Sequence, residues 1–235
     1  MDWYRQHFAL PSDPAGAVWG DLTPGYILSD TARANIGALG NEPVLIVCLR
    51  DPYARLRSQF HHDRATLGGR NDPARYLHED YNQVVTRSCY STLLAPWLRD
   101  FGPERFHYVI LEDYQARPLA VATDLFDRLG VAPLPGEQLE TIGRVNEAVT
   151  PRNRFLSAVA HRTQLLLRRS GRFAAASALA GNERLRSLIL SDRRPDNDDF
   201  CIPDEVRRRI ERDLDALDQV TGRSITSIWS ETGGS

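Results

Sequence analysis

The feature that most constrains this chain is the junction at Leu49. Val44-Leu45-Ile46-Val47-Cys48-Leu49 is a short, unbroken apolar run rich in β-branched residues, and Arg50-Asp51-Pro52 follows it without a gap. A run of this kind reads as a strand buried on both faces, the signature of a parallel sheet. Pro52 suits the first turn of a helix because it needs no amide partner there, and Asp51 suits the cap before it. The junction therefore predicts a strand leading straight into a helix, with Arg50 at the carboxyl edge of the sheet. Open α/β sheets bind ligands at that edge.

The rest of the chain extends the pattern. His107-Tyr108-Val109-Ile110-Leu111 reads as a second strand and Ala17-Val18-Trp19-Gly20 as a weaker third. Helical periodicity covers Asp51 to Thr66, Tyr90 to Phe101, Arg117 to Leu129, Asn153 to Arg168 and Pro203 to Val220. Strands separated by helices predict a layered α/β domain with a mainly parallel sheet over residues 1–143. Residues 144–235 read as its helical C-terminal part, because no Pro/Gly-rich linker separates them. One domain over 1–235 is expected.

Charge narrows the function. The formal net charge is −2, and all 29 basic residues are arginine. A lysine-mediated phosphate clamp is excluded, and the acidic balance argues against nucleic-acid partners. No apolar run approaches the roughly 20 residues that span a bilayer. Three cysteines without metal-ligand spacing (Cys48, Cys89, Cys201) read as reduced thiols in a cytoplasmic protein that needs no metal. Between Glu147 and Glu183 there is no acid, whereas Arg152, Arg154, Arg162, Arg168, Arg169 and Arg172 are basic. That stretch suits an anionic ligand, a membrane surface or a solvated helix face.

In the first predicted helix, Arg55, Ser58 and His62 stack along one face. An arginine at the strand end and a serine roughly two turns on can converge on one dianionic phosphate, for which the planar guanidinium is well shaped. The same residues also fit a capped helix with solvated arginines. His61 points away from this face and is expected in solvent.

Leu49-Arg50-Asp51-Pro52-Tyr53-Ala54-Arg55-Leu56-Arg57-Ser58 resembles the 3′-phosphate-binding signature of the sulfotransferases that use 3′-phosphoadenosine 5′-phosphosulfate (PAPS), above all bacterial and heparan-type members. Further landmarks follow in order. They are Trp3-Tyr4, the stretch from Asp21 through Thr23-Pro24 to Tyr26, Tyr90 with Leu94 and Trp97, Leu111-Glu112-Asp113, Leu125-Phe126 with Leu129-Gly130, and Leu217 through Thr221-Gly222 to Trp229. The resemblance implies a P-loop-like three-layer sandwich and sulfuryl transfer from PAPS to a hydroxyl or amine of a glycan or small-molecule acceptor. It implies Arg50 and Ser58 at the 3′-phosphate, with Arg152 in a basic loop above it. Asp21 stands where relatives usually carry a glutamate general base, although it could equally organise its own turn. His62 would hydrogen-bond the acceptor or the sulfuryl group. Relatives begin with a strand and a lysine-bearing loop for the 5′-phosphosulfate. Nothing here matches that loop, so a preceding βα unit is expected to be missing. The other readings are a non-catalytic remnant binding adenosine 3′,5′-bisphosphate and a nucleotide or nucleoside kinase. Gly68-Gly69 reads as a loop near the acceptor.

Overall fold

The computed structural model describes residues 18–40, 42–67, 72–133, 135–136, 150–151, 163, 190–191 and 200–232. In chain order the elements are α1 (Asp30–Gly37), β1 (Leu45–Leu49), α2 (Pro52–Leu67), α3 (Pro73–His78), α4 (Tyr90–Phe101), β2 (Phe106–Ile110), α5 (Leu111–Ala116), α6 (Pro118–Leu129), β3 (Thr150–Pro151), β4 (Leu190–Ser191), α7 (Asp204–Thr221) and α8 (Ile225–Thr232). The architecture is mixed α/β and mostly helical. β1 and β2 pair in parallel, with Leu45 opposite Phe106 and Leu49 opposite Ile110, and β3 and β4 pair antiparallel. The chain divides into two compact units. The first comprises Met1–Asp51, Tyr90–Gly143 and Asp213–Ser235, and the second Pro52–Cys89 and Arg144–Arg212.

The first unit is built around the parallel pair. Its core joins Leu49, Phe106 and Ile110 to Tyr90, Leu94, Trp97 and Leu98 of α4, and to Leu217, Ile225 and Trp229 near the C-terminus. In α4 the buried Tyr90, Leu94, Trp97 and Leu98 fall at i, i+4, i+7 and i+8, one apolar stripe of a 3.6-residue period. α6 starts with Pro118 at its first turn and stops at Gly130, which takes φ 66° so that the Val131 amide can reach the Phe126 carbonyl.

Two carboxylates of α7 close this unit. Asp213 is buried and accepts from the amides and hydroxyls of Ser91 and Thr92, at 2.7 to 3.0 Å, which caps α4. Asp218 accepts from the Ile225 and Thr226 amides and the Thr226 hydroxyl, which caps α8. Each carboxylate satisfies helix amides that have no partner within their own helix.

In the second unit, Leu56 and Phe60 of α2 are wholly buried, as are Tyr76 and Leu77 of α3 and Val84 of the following loop. Phe60 meets Tyr76 edge-on and lies against Phe200. Buried Asp63 accepts from the Tyr76 hydroxyl at 2.8 Å and the Gln59 amide at 2.9 Å.

Three expectations change. β1 is not covered on both faces: Leu45, Val47 and Leu49 turn inward, while Ile46 is 43% exposed and Cys48 is also exposed. A continuous apolar run does not distinguish one covered face from two. Val18-Trp19-Gly20 is irregular and exposed rather than strand. His61 is half-buried, its ring 6.3 Å from that of Phe200, because it lies toward the flank that packs. Trp3-Tyr4, Gly68-Gly69, Arg152, the predicted helix from Asn153 to Arg168 and the surrounding basic stretch lie outside the described residues.

Candidate functional site

The tip of β1 is fixed from three sides. Arg50 leaves the strand half-buried, and the Tyr90 hydroxyl donates to its carbonyl at 2.8 Å. The next amide, of Asp51, donates to Glu112 Oε1 at 3.0 Å. Glu112 follows β2, so the parallel register brings it to the same sheet edge. Its second oxygen accepts from Trp229 Nε1 at 3.0 Å. The peptide between Arg50 and Asp51 is thus held by one hydroxyl and one carboxylate, and the carboxylate is itself held by an indole. Among the described residues the Arg50 guanidinium has no hydrogen-bond or ion-pair partner. A half-buried cation of this kind, on a clamped backbone, is equipped to receive an anion.

Glu112 is the residue that sequence reasoning missed as part of this arrangement. The sequence shows an acid directly after an apolar strand, but only the parallel register pairs that strand with the one ending in Arg50.

On α2, in the second unit, Ser58 and His62 are exposed. Arg55 departs from the face they share. Its guanidinium donates to the Val84 carbonyl at 3.0 Å and to Ser88 Oγ at 2.9 Å, and so secures the loop after α3. Asp21 lies in an exposed turn of the first unit. Its carboxylate accepts from the Thr23 hydroxyl at Oδ1, 2.8 Å, and from the Tyr26 hydroxyl at Oδ2, 2.6 Å. The turn-organising role is therefore realised in the geometry.

Burial raises the Tyr108 phenol on β2 to about 12, against a smaller opposing pull from Arg223. Burial also raises the Cys48 thiol above its ordinary range. Neither group is set up to ionise near neutral pH. Among the described residues no cluster of His, Cys, Asp and Glu could hold a metal ion, and no helix is long and apolar enough to cross a membrane.

Residues 39–156 match the family model of the sulfotransferase domain. The chain belongs to that family. It is similar to two mouse (Mus musculus) proteins, heparan sulfate glucosamine 3-O-sulfotransferase 3B1 and heparan sulfate glucosamine 3-O-sulfotransferase 3A1. Identity to each is 27% over 140 residues, covering 56% of this chain and 35% of the relative. The chain thus spans about a third of the length of these relatives. The match to the sulfotransferase domain includes Arg50, Ser58, His62, Glu112 and Arg152, whereas Asp21 precedes it.

Proposed function

We propose that this sulfotransferase-domain chain serves sulfuryl transfer from PAPS to a hydroxyl or amine of a carbohydrate or small-molecule acceptor, within a P-loop-like three-layer domain. The observation that carries the reading is the strand-tip motif. Leu49 to Ser58 has the family's 3′-phosphate pattern, its strand lies in a parallel pair, and the Arg50–Asp51 peptide is clamped by Tyr90 and Glu112. The two similar mouse proteins, by name, act on a glucosamine of heparan sulfate, which favours a sugar as acceptor.

PAPS supplies an activated sulfuryl group, whose bond to the 5′-phosphate oxygen breaks as the acceptor attacks, so that adenosine 3′,5′-bisphosphate leaves. Arg50 and Ser58 hold its 3′-phosphate, the guanidinium through paired charge-assisted hydrogen bonds and the serine through its hydroxyl. Arg152 adds a further cation over the same group. Asp21 takes the proton of the attacking acceptor hydroxyl, and His62 hydrogen-bonds the acceptor. For Asp21 this role requires exchanging the Thr23 or Tyr26 hydroxyl for that of the acceptor. A second reading gains from the same bonds: with both oxygens engaged, the chain would bind adenosine 3′,5′-bisphosphate without turnover.

The test is calorimetric titration of adenosine 3′,5′-bisphosphate into the chain and into Arg50→Ala, alongside an assay of labelled sulfuryl transfer. Binding that Arg50→Ala removes supports the site, and equal affinity in both proteins refutes it. Transfer that Asp21→Asn abolishes supports the base, while binding without transfer selects the second reading.

A further inference from the structure

The parallel pair of the first unit ends at β1. This strand bonds β2 along one edge, and along the other it makes no hydrogen bond among the described residues. Alternate residues of a strand aim N–H and C=O to the same side, so the outer edge of Leu45–Leu49 carries a row of open donors and acceptors. A parallel sheet normally runs to more than two strands and is covered on both faces. The devices that guard an edge are missing here: from Leu45 to Leu49 there is no proline, no charged residue and no bulge.

The two strands differ in what lies over them. Ile46 pairs with His107 in the register, so both face the same side of the sheet, and Cys48 joins them two residues on. His107 is buried, with the Asp124 carboxylate of α6 3.8 Å from its Nε2. α6 therefore covers this face over β2. Over β1 the face stays open: Ile46 is 43% exposed and Cys48 is exposed as well, whereas no residue of β2 is exposed. The accessible edge of the sheet is that of β1.

The strand is complementary to itself run in reverse. Antiparallel pairing of two copies about a two-fold axis at Val47 sets Ile46 opposite the second copy's Cys48, and Leu45 opposite its Leu49. Outer side chains then meet outer ones, and inner meet inner. The ends match too. Glu42 precedes the strand with its side chain 77% exposed beside Arg105, and Arg50 follows it with no partner among the described residues. Carried on at strand spacing, the antiparallel register brings Arg50 of each copy diagonal to Glu42 of the other, two pairs of opposite charges. A parallel register would set like charges together. A guanidinium has several donors, so this pairing does not exhaust Arg50. Pro43, which has no N–H, bounds the contact.

We propose that β1 is an interaction surface for a second copy of this chain, paired edge to edge and antiparallel about Val47. The contact is isologous and uses the one accessible edge of each copy, so it closes at two. Five residues a side is well short of the roughly 20–30 of a standard interface, so the dimer is weak, with a dissociation constant on the order of 10–100 μM. The surface does not depend on the PAPS reading, and its test requires no turnover.

Sedimentation of the full chain from about 1 to 500 μM should show a monomer passing into a dimer. Ile46→Lys puts a charge on the open face outside the core and should raise the dissociation constant at least about tenfold, with thermal unfolding showing the variant folded. Ile46→Cys places a thiol opposite the second copy's Cys48, so mild oxidation should lock a disulfide-linked dimer on a non-reducing gel, and Cys48→Ser in the same chain should abolish it. A synthetic peptide spanning Glu42 to Asp51 should compete for the edge and return the dimer to monomer. A monomer throughout the concentration range, a higher assembly, an unchanged constant in Ile46→Lys, or a dimer that Ile46→Cys does not cross-link would each overturn the proposal. A monomer that nonetheless binds the peptide would give the edge to a different strand and overturn the second copy as its occupant.

Discussion

At the scale of single residues, the strand tip shows how one carboxylate can fix the backbone beside the arginine proposed to bind the nucleotide phosphate. Glu112 accepts from the Asp51 amide with one oxygen and from the Trp229 indole with the other. Replacing it with glutamine keeps the first bond but sets an NH2 against the indole N–H, two donors facing each other. Glu112→Gln should therefore weaken adenosine 3′,5′-bisphosphate binding by about tenfold, on the order of one disturbed buried hydrogen bond. Trp229→Phe, which removes the donor instead, should disturb binding less than Glu112→Gln. Titration of both variants checks this, and full affinity in Glu112→Gln would show that the clamp does not position Arg50. The sequence made Arg50 and Ser58 visible because their motif is local, eight residues apart along one chain. Glu112 was not visible in that role because its partners lie 61 and 117 positions away. Only the parallel register reveals that its strand ends beside that of Arg50.

At the scale of elements, α7 stabilises helices other than itself. Asp213 is buried and accepts four hydrogen bonds from the first turn of α4, and Asp218 repeats the device five residues on for α8. Asp213→Ala would strand the Ser91 and Thr92 amides away from water. The expected loss is about 2–3 kcal/mol, combining a lost cap with buried donors left unpaired. Asp218→Ala sits closer to the surface and should lose about 1 kcal/mol. Denaturant melts of both variants measure the difference, and equal small losses would contradict the assigned weights. These elements also mark what periodicity conveys. α2, α4, α6 and α7 fall within a residue or so of the helices read from the sequence, since each carries its own apolar stripe and a Pro, Gly or acidic boundary signal. α1, α3, α5 and α8 were not foreseen. Each is six to eight residues long, too short to show a repeat, and depends on caps and packing for its stability.

At the scale of the whole molecule, each unit shelters a tyrosine hydroxyl from water, and the two differ in a way that pH can separate. In the second unit, burial and the hydrogen bond to Asp63 push Tyr76 well above the ordinary tyrosine range. In the first unit, burial raises Tyr108 to about 12, and its hydroxyl has no hydrogen-bond partner among the described residues. A raised folded pKa means that the unfolded chain loses its proton first as pH rises. The associated stability is complete below about pH 10 and is lost as pH climbs through about 12. Stability should therefore fall steeply above pH 10, and Tyr108→Phe should flatten part of that fall. The same substitution removes a buried hydroxyl that makes no bond, so at pH 7 the variant should be at least as stable as the parent. Tyr76→Phe should behave oppositely at neutral pH: it breaks the bond to Asp63 and leaves a buried carboxylate with one donor fewer, at a cost of about 1–2 kcal/mol. Urea melts of the three proteins at pH 7, 9, 10 and 11 decide the matter. If Tyr108→Phe loses stability at pH 7 while the alkaline slope stays unchanged, the Tyr108 hydroxyl is hydrogen-bonded in solution and the assigned role is wrong.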